Sequence, residues 1–83
     1  MADSIEQQVI NIVAKKRKLD PATVTLDSTF EQLGIDSLDA ADLLFTFEDT
    51  FGIVVPDDAA QSMKSVRHVV DGVRQLVAQR AGA

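Results

Sequence analysis

The 83-residue chain contains no cysteine and only one histidine, His68. Without cysteine there is no disulfide framework, no thiolate metal site and no cysteine nucleophile. A single histidine, which we expect at the surface, leaves no second imidazole for a metal site or a catalytic triad. Carboxylates on solvated helix faces also lack the burial that tunes them for acid–base chemistry. We therefore expect no metal site and no enzyme.

The chain also lacks a long apolar run. No segment approaches the ~20 apolar residues that a transmembrane helix needs, and no secretory signal sequence is recognisable at the start. Together with the absence of cysteine, these features predict no membrane span and a location in the reducing cytoplasm.

Basic residues are missing from the middle of the chain, because all eight lysines and arginines lie outside residues 19–63. That span carries a set of ten acids: Asp20, Asp27, Glu31, Asp36, Asp39, Asp42, Glu48, Asp49, Asp57 and Asp58. Such a field repels nucleic acid and speeds encounter with basic protein surfaces. We expect no nucleic-acid partner, and protein partners with basic docking patches.

The length fits one domain over residues 1–83, with a core at about 4–78 and a frayed tail at 79–83. A chain of this size is too small for a deep catalytic cleft. It is expected to be a monomer.

Two segments near the ends of the chain show the apolar spacing of amphipathic helices. The first includes Ile5, Val9, Ile12 and Val13; the second includes Val66, Val69, Val70, Val73, Leu76 and Val77. The basic run at 15–18 falls in the last turn of the first helix, where cations complement the helix dipole. Ser65 is positioned to cap the last helix.

A third helix is predicted from about Ser37 to Phe51, ended by Gly52. Its apolar stripe is wide and predicts burial against several neighbours, since it includes Leu38, Ala41, Leu43, Leu44, Phe45, Phe47 and Phe51. After Pro56, Asp57 or Asp58 is expected to cap a short helix of one to two turns.

The long segment between the first two major helices shows no sustained period. Asp20 before Pro21 predicts a capped turn, and Ser28 with Glu31 has the spacing of a capping box. Residues 23–26 are read as loop because no second strand is available to pair with them. The fold class predicted is all-α: a small four-helix bundle with three major helices, one short helix and a long first loop.

Ser37 stands between two aspartates at the entrance of the predicted middle helix, where a serine can be a cap, a nucleophile or an attachment point. Asp36 is the better cap, because a capping box from Ser37 would need Glu or Gln where Ala40 stands. The Ser37 hydroxyl is then spare in the first turn. A phosphate attached there would lie at the positive end of the helix, so we favour attachment.

The stretch "LGIDSLDAADLLFTFEDTFGIVVPDD" resembles the core of acyl carrier proteins, whose signature centres on Asp-Ser-Leu after Leu-Gly, followed by an acidic helix and a hydrophobic-Pro-Asp turn. The resemblance covers nearly the whole chain. It implies that Ser37 receives 4'-phosphopantetheine from coenzyme A through a phosphopantetheinyl transferase (holo-acyl carrier protein synthase), making the chain a phosphoprotein. The thiol of that arm would hold acyl groups as thioesters.

The resemblance also assigns roles to other residues. The helix beginning at Ser37 would be the recognition helix for the transferase and for acyl-transferring or synthase enzymes, through Asp36, Leu38, Asp39, Asp42, Glu48 and Asp49. In this family the acyl chain folds back into the helical core, and here Phe30 and Phe47 would line or occupy that space. Because aromatic rings leave little room, we expect short, polar or unusual acyl groups rather than long saturated chains.

Several readings stay open at this point. The pathway could be fatty acid, lipid or polyketide biosynthesis. An aminoacyl or peptidyl carrier is an alternative, although Ile35 replaces the second glycine of the Leu-Gly-Gly-Asp-Ser pattern of peptidyl carriers. From a different class, a cofactor-free acidic helical adaptor would use the same charges without modification of Ser37.

Overall fold

The structure, a computed structural model, describes residues 4–82. Its elements in chain order are helix α1 (Ser4–Arg17), a short 3-10 helix (Pro21–Thr23), helix α2 (Ser37–Phe51), helix α3 (Asp57–Ser62) and helix α4 (Val66–Gly82). Helix α1 packs against both α2 and α4, and α2 packs against α4. The predicted all-α bundle with one short helix and a long first loop is confirmed.

One apolar core joins all the helices. It is richest in valine from α1 and α4, and it consists of Val9, Val13, Ala14, Val24, Ile35, Leu43, Phe47, Ile53, Val55, Met63, Val66, Val69, Val70 and Val73. No buried polar side chain interrupts this core among the described residues. The bundle is therefore held together mainly by apolar burial.

Helix α1 ends as the basic run predicts, with Lys15, Lys16 and Arg17 in its last turn. Lys18 takes a φ of 56°, and the N–H of Leu19 donates to the carbonyl of Ala14 at 2.8 Å. This is a Schellman closure with lysine at the left-handed position that glycine usually occupies. The loop to α2 starts from there.

The predicted capping box in the first loop was placed one residue too early. Instead of Ser28 with Glu31, Thr29 and Gln32 bond reciprocally: the N–H of Thr29 donates to the Gln32 side chain at 3.0 Å, and the N–H of Gln32 donates to Thr29 Oγ1 at 3.1 Å. Ser28 Oγ instead accepts from the N–H of Thr25. Threonine and glutamine satisfy the same pattern, so local sequence could not separate the two registers.

One further expectation about a helix end was wrong. Helix α3 has Pro56 at its N-cap, without a side-chain cap, and Asp57 and Asp58 lie in its first turn, where negative charge favours the helix dipole. Helix α4 runs from Val66 through Gly82, and the alanine, glutamine and arginine of its last turns are good helix formers. Of the predicted frayed tail, only residue 83 lies outside the described residues.

Candidate functional site

Ser37 is the first residue of α2, and its side chain is exposed. As predicted, Asp36 is the N-cap, and its carboxylate accepts from the N–H of Asp39 at 2.9 Å. No hydrogen bond of Ser37 Oγ is found among the described residues, whereas the hydroxyls of Ser28, Ser62 and Ser65 all bond to nearby backbone. Ser37 therefore presents an uncommitted hydroxyl at a rigid helix start.

The loop that leads into Ser37 is fixed from α1 by Arg17. Its Nε donates to the carbonyl of Leu33 at 3.1 Å, and its Nη1 lies 3.8 Å from the Asp39 carboxylate. Gly34 has a φ of 73°, and a Cβ there would lie 3.1 Å from the Arg17 guanidinium. Sequence reasoning placed Arg17 only in the last turn of α1. Its contact with the loop depends on how the two helices meet.

An open cavity of about 600 Å³ adjoins Ser37. Its lining is partly apolar and partly charged, and consists of Thr29, Phe30, Glu31, Ile35, Ser37, Met63 and Lys64. Phe30 thus lies in the same cavity as Ser37. Phe47 does not line this cavity; it is 1% exposed and belongs to the central core.

The acids of α2 do not form a uniform free surface, because two of them pair with α1. Lys16 Nζ lies 3.0 Å from the Asp42 carboxylate and 3.7 Å from that of Asp39. The hydrogen bond to Asp42 is the main cause that raises the pKa of Lys16 above its usual 10.5, although partial desolvation opposes it. Asp42 nevertheless keeps 70% of its side chain exposed, against 26% for Asp39.

Glu48, predicted as a docking acid, also has a structural contact. Its carboxylate accepts from the backbone N–H of Val55 at 2.7 Å in a partly buried position. This bond holds the loop that follows α2 back against the helix. Asp49 is exposed. Backbone hydrogen bonds therefore commit Asp36 and Glu48 to structure, whereas Asp49 is exposed and Asp42 stays largely exposed while it pairs with Lys16.

Two large apolar side chains of α2 are exposed instead of buried: Leu38 at 79% and Phe45 at 75%. The wide apolar stripe of α2 was expected to be buried, and for Phe45 this expectation was wrong; the buried residues of this helix are Leu43 and Phe47. Leu38 and Phe45 are seven residues apart, which places them about 20° apart around the helix axis. They form one exposed apolar strip that begins beside Ser37.

His68 is exposed, as expected, and its Nδ1 accepts from the backbone N–H of Lys64 at 3.2 Å. Within residues 4–82, no group of three or more His, Cys, Asp or Glu side chains is arranged to hold a metal ion. No helix in this range is long and apolar enough to cross a membrane.

The sequence matches a known family over most of its length. A family model described as a phosphopantetheine attachment site matches residues 7–80. A small helical bundle with an uncommitted serine hydroxyl at a helix start fits a covalently attached group of this kind. The fold and the site therefore place the protein in the class of phosphopantetheine carriers.

Curated relatives and solved structures narrow the class. The chain is 43% identical over 74 residues to acyl carrier proteins of Rickettsia typhi and Rickettsia prowazekii, covering 88% of this chain and 86% of each relative. The crystal structure of an acyl carrier protein from Thermotoga maritima superposes with a TM-score of 0.77 at 30% identity, covering 88% of this chain and 86% of that one. The chain belongs to the acyl carrier protein family. It is a carrier of acyl groups on phosphopantetheine, in a family of carriers rather than catalysts whose usual role is fatty acid biosynthesis.

Proposed function

We propose that Ser37 is the residue that carries the phosphopantetheine arm. The observation that supports this most is the contrast among the serines: Ser28, Ser62 and Ser65 use their hydroxyls in local hydrogen bonds, whereas Ser37 is exposed with its hydroxyl uncommitted. Asp36 makes this possible by capping α2 in place of Ser37. An anion at Ser37 is also favoured by the positive end of the helix.

Attachment would use the serine hydroxyl as a nucleophile within a complex with a phosphopantetheinyl transferase. A new bond forms between Ser37 Oγ and the phosphorus that bears the pantetheine of coenzyme A, and the pyrophosphate bond breaks. Adenosine 3',5'-bisphosphate leaves, and the hydroxyl proton passes to a base of the transferase. The chain itself needs only to present the hydroxyl, and once bound the arm supplies a thiol for thioester formation.

Docking of the transferase and of acyl-transferring enzymes is proposed along α2. Among the expected docking residues, Leu38, Asp42 and Asp49 are exposed, and they combine an apolar contact with charges for a basic partner surface. Asp36, Asp39 and Glu48 add negative potential to the same surface while their carboxylates bond within the chain. Electrostatic attraction of this kind acts mainly on the association rate.

The acyl pocket is proposed to begin at the cavity beside Ser37, against Phe30. Phe47 would limit its depth, since a ring in a close-packed core must move before a long chain can enter. Short, polar or unusual acyl groups are therefore the cargo we propose. We also propose a cytoplasmic monomer, on the absence of cysteine and on an apolar core that closes within one copy.

The attachment proposal is tested by intact-mass measurement after incubation with coenzyme A and a phosphopantetheinyl transferase. Wild type should gain the mass of one arm, and Ser37→Ala should gain none. Its melting temperature should stay within about 2 °C of wild type, because Ser37 is exposed and Asp36 remains as the cap. Ser62→Ala is the matched control and should load fully. A Ser37→Ala protein that still gains an arm would refute the assignment, and a wild type that stays unloaded would favour the cofactor-free adaptor.

A further inference from the structure

The cavity beside Ser37 carries charge that an alkyl-binding pocket does not need. Lys64 and Glu31 line it together with Phe30, Ile35 and Met63. Lys64 is the first basic residue after a span, 19–63, that has none. It is the one basic residue among the described residues that line this cavity.

The backbone of Lys64 is held firmly. Its carbonyl accepts from the N–H of Phe30 at 3.0 Å, and its N–H donates to His68 Nδ1 at 3.2 Å. The adjacent residue Ser65 forms a bridge with Thr29. The link between α3 and α4 is thus fastened to the first loop, and Lys64 at this anchored point lines the cavity that Ser37 also lines.

The ammonium group of Lys64 has no carboxylate within 4.0 Å among the described side chains, Glu31 included. This contrasts with Lys16 and Arg67, which both pair with aspartates. Lys64 and Ser37 line the same open cavity, and charges in water interact over a screening length of about 10 Å at ~0.1 M salt. An arm attached to Ser37 would start at the wall of the cavity that Lys64 also lines.

We propose that Lys64 binds negative charge on the arm attached to Ser37. The inference rests on the proposed function, since it requires Ser37 to be loaded. The anion has two possible sources: the phosphodiester that joins the arm to Ser37, or a carboxylate at the far end of the acyl group. Glu31 opposes either anion, so the pairing is expected to be weak and to depend on Lys64 alone.

The test compares melting temperatures at low salt of four forms: apo, holo, acetyl-loaded and malonyl-loaded, each confirmed first by intact mass. Lys64→Met removes the charge at similar length, and Lys64→Arg keeps it. Lys15→Met, an exposed position on α1, is the matched control for the loss of one charge. If wild type does not gain the mass of the arm, the proposed function is refuted. The intact-mass measurement shows this before any melting temperature is recorded, so the two failures are distinguishable.

If the phosphodiester is the ligand, the gain in melting temperature from apo to holo should be about 1–4 °C smaller in Lys64→Met than in wild type, as for one exposed ion pair in a small domain. If a carboxylate is the ligand, the difference between malonyl-loaded and acetyl-loaded forms should shrink by a similar amount. Lys64→Arg and Lys15→Met should behave like wild type. Either difference should fade at ~1 M salt.

A second readout is independent of unfolding. The ³¹P resonance of the phosphodiester in holo protein should shift between wild type and Lys64→Met, but not between wild type and Lys15→Met, if the phosphodiester is bound. The proposal is overturned if Lys64→Met leaves both melting differences and the ³¹P resonance unchanged, or if Lys15→Met changes them equally.

Discussion

Phe45 and Phe47 lie two residues apart on α2 and have opposite surroundings. Phe47 is 1% exposed and packs in the core, whereas Phe45 is 75% exposed. The same helix therefore has one face that holds the bundle together and one apolar face that no described residue covers. Helix α4 differs, since its periodic valines Val66, Val69, Val70 and Val73 are all buried.

This comparison separates stability from recognition. Helix α4 uses its apolar pattern for packing, which any stable bundle requires. Helix α2 instead leaves the large apolar side chains Leu38 and Phe45 in water. Because they are not buried, they add little hydrophobic stabilisation to the fold. Exposed apolar side chains among acids are what a transient interface needs at its centre. The exposed face of α2 is therefore the surface on which the proposed docking of partners is tested.

The largest effect expected is on folding. Phe47→Ala should lower the free energy of unfolding by about 3–5 kcal/mol, through lost burial and a residual cavity. Phe45→Ala should change it by less than about 0.5 kcal/mol, as is usual for exposed positions. Denaturant unfolding of both variants measures the contrast. If both variants lose the same free energy of unfolding, the Phe45 face and the Phe47 face of α2 do not differ in their contribution to stability.

Because Phe47→Ala removes much of a small domain's stability, Phe47→Leu is the second variant for this position. Loaded with short and long saturated acyl groups, wild type should gain little stability with chain length and Phe47→Leu should gain more. A steady gain in wild type, unchanged by the substitution, would remove Phe47 as the limit of the acyl pocket.

An intermediate effect is expected on partner binding. Phe45→Ala should weaken association with a cognate phosphopantetheinyl transferase about fivefold, equivalent to about 1 kcal/mol, mainly through faster dissociation. Surface plasmon resonance at fixed salt measures both rates. Val54→Ala is the control, because Val54 is 78% exposed but lies in the loop after α2. If Val54→Ala weakens binding as much, the strip of Leu38 and Phe45 is not the specific contact.

The smallest effects should come from Lys16, which pairs with the acids of α2 at the edge of that face. Since the folded pKa of Lys16 is raised above 10.5, its stabilising contribution is complete below pH 10.5 and is lost as pH rises through the raised value. Wild type should therefore lose slightly more stability than Lys16→Met in strongly alkaline solution. The measurement is the free energy of unfolding of both proteins as a function of pH. If the two values change by the same amount across this alkaline range, the pair of Lys16 with the acids of α2 contributes nothing.

Much of the site was predictable because it rests on local rules. The cap at Asp36 and the left-handed Gly52 both depend on residues close in sequence, and the structure confirms both. The reciprocal box of Thr29 and Gln32 was missed because neighbouring residues offered an equivalent pattern. Local sequence therefore predicts that a capping box forms in this loop, but it does not distinguish between two adjacent positions of similar energy.

By itself, the sequence determined the helical class, the helix that starts at Ser37 and the acidic character of its surroundings, because periodicity, capping and charge act over a few residues. Only the tertiary structure decided that Phe47 turns inward and Phe45 outward, that Arg17 fixes the loop before Ser37, and that Lys64 shares a cavity with Ser37. Those outcomes depend on how whole helices pack around one core. The apolar stripe of α2 is wider than the surface that neighbouring helices can cover, so part of it stays exposed to water.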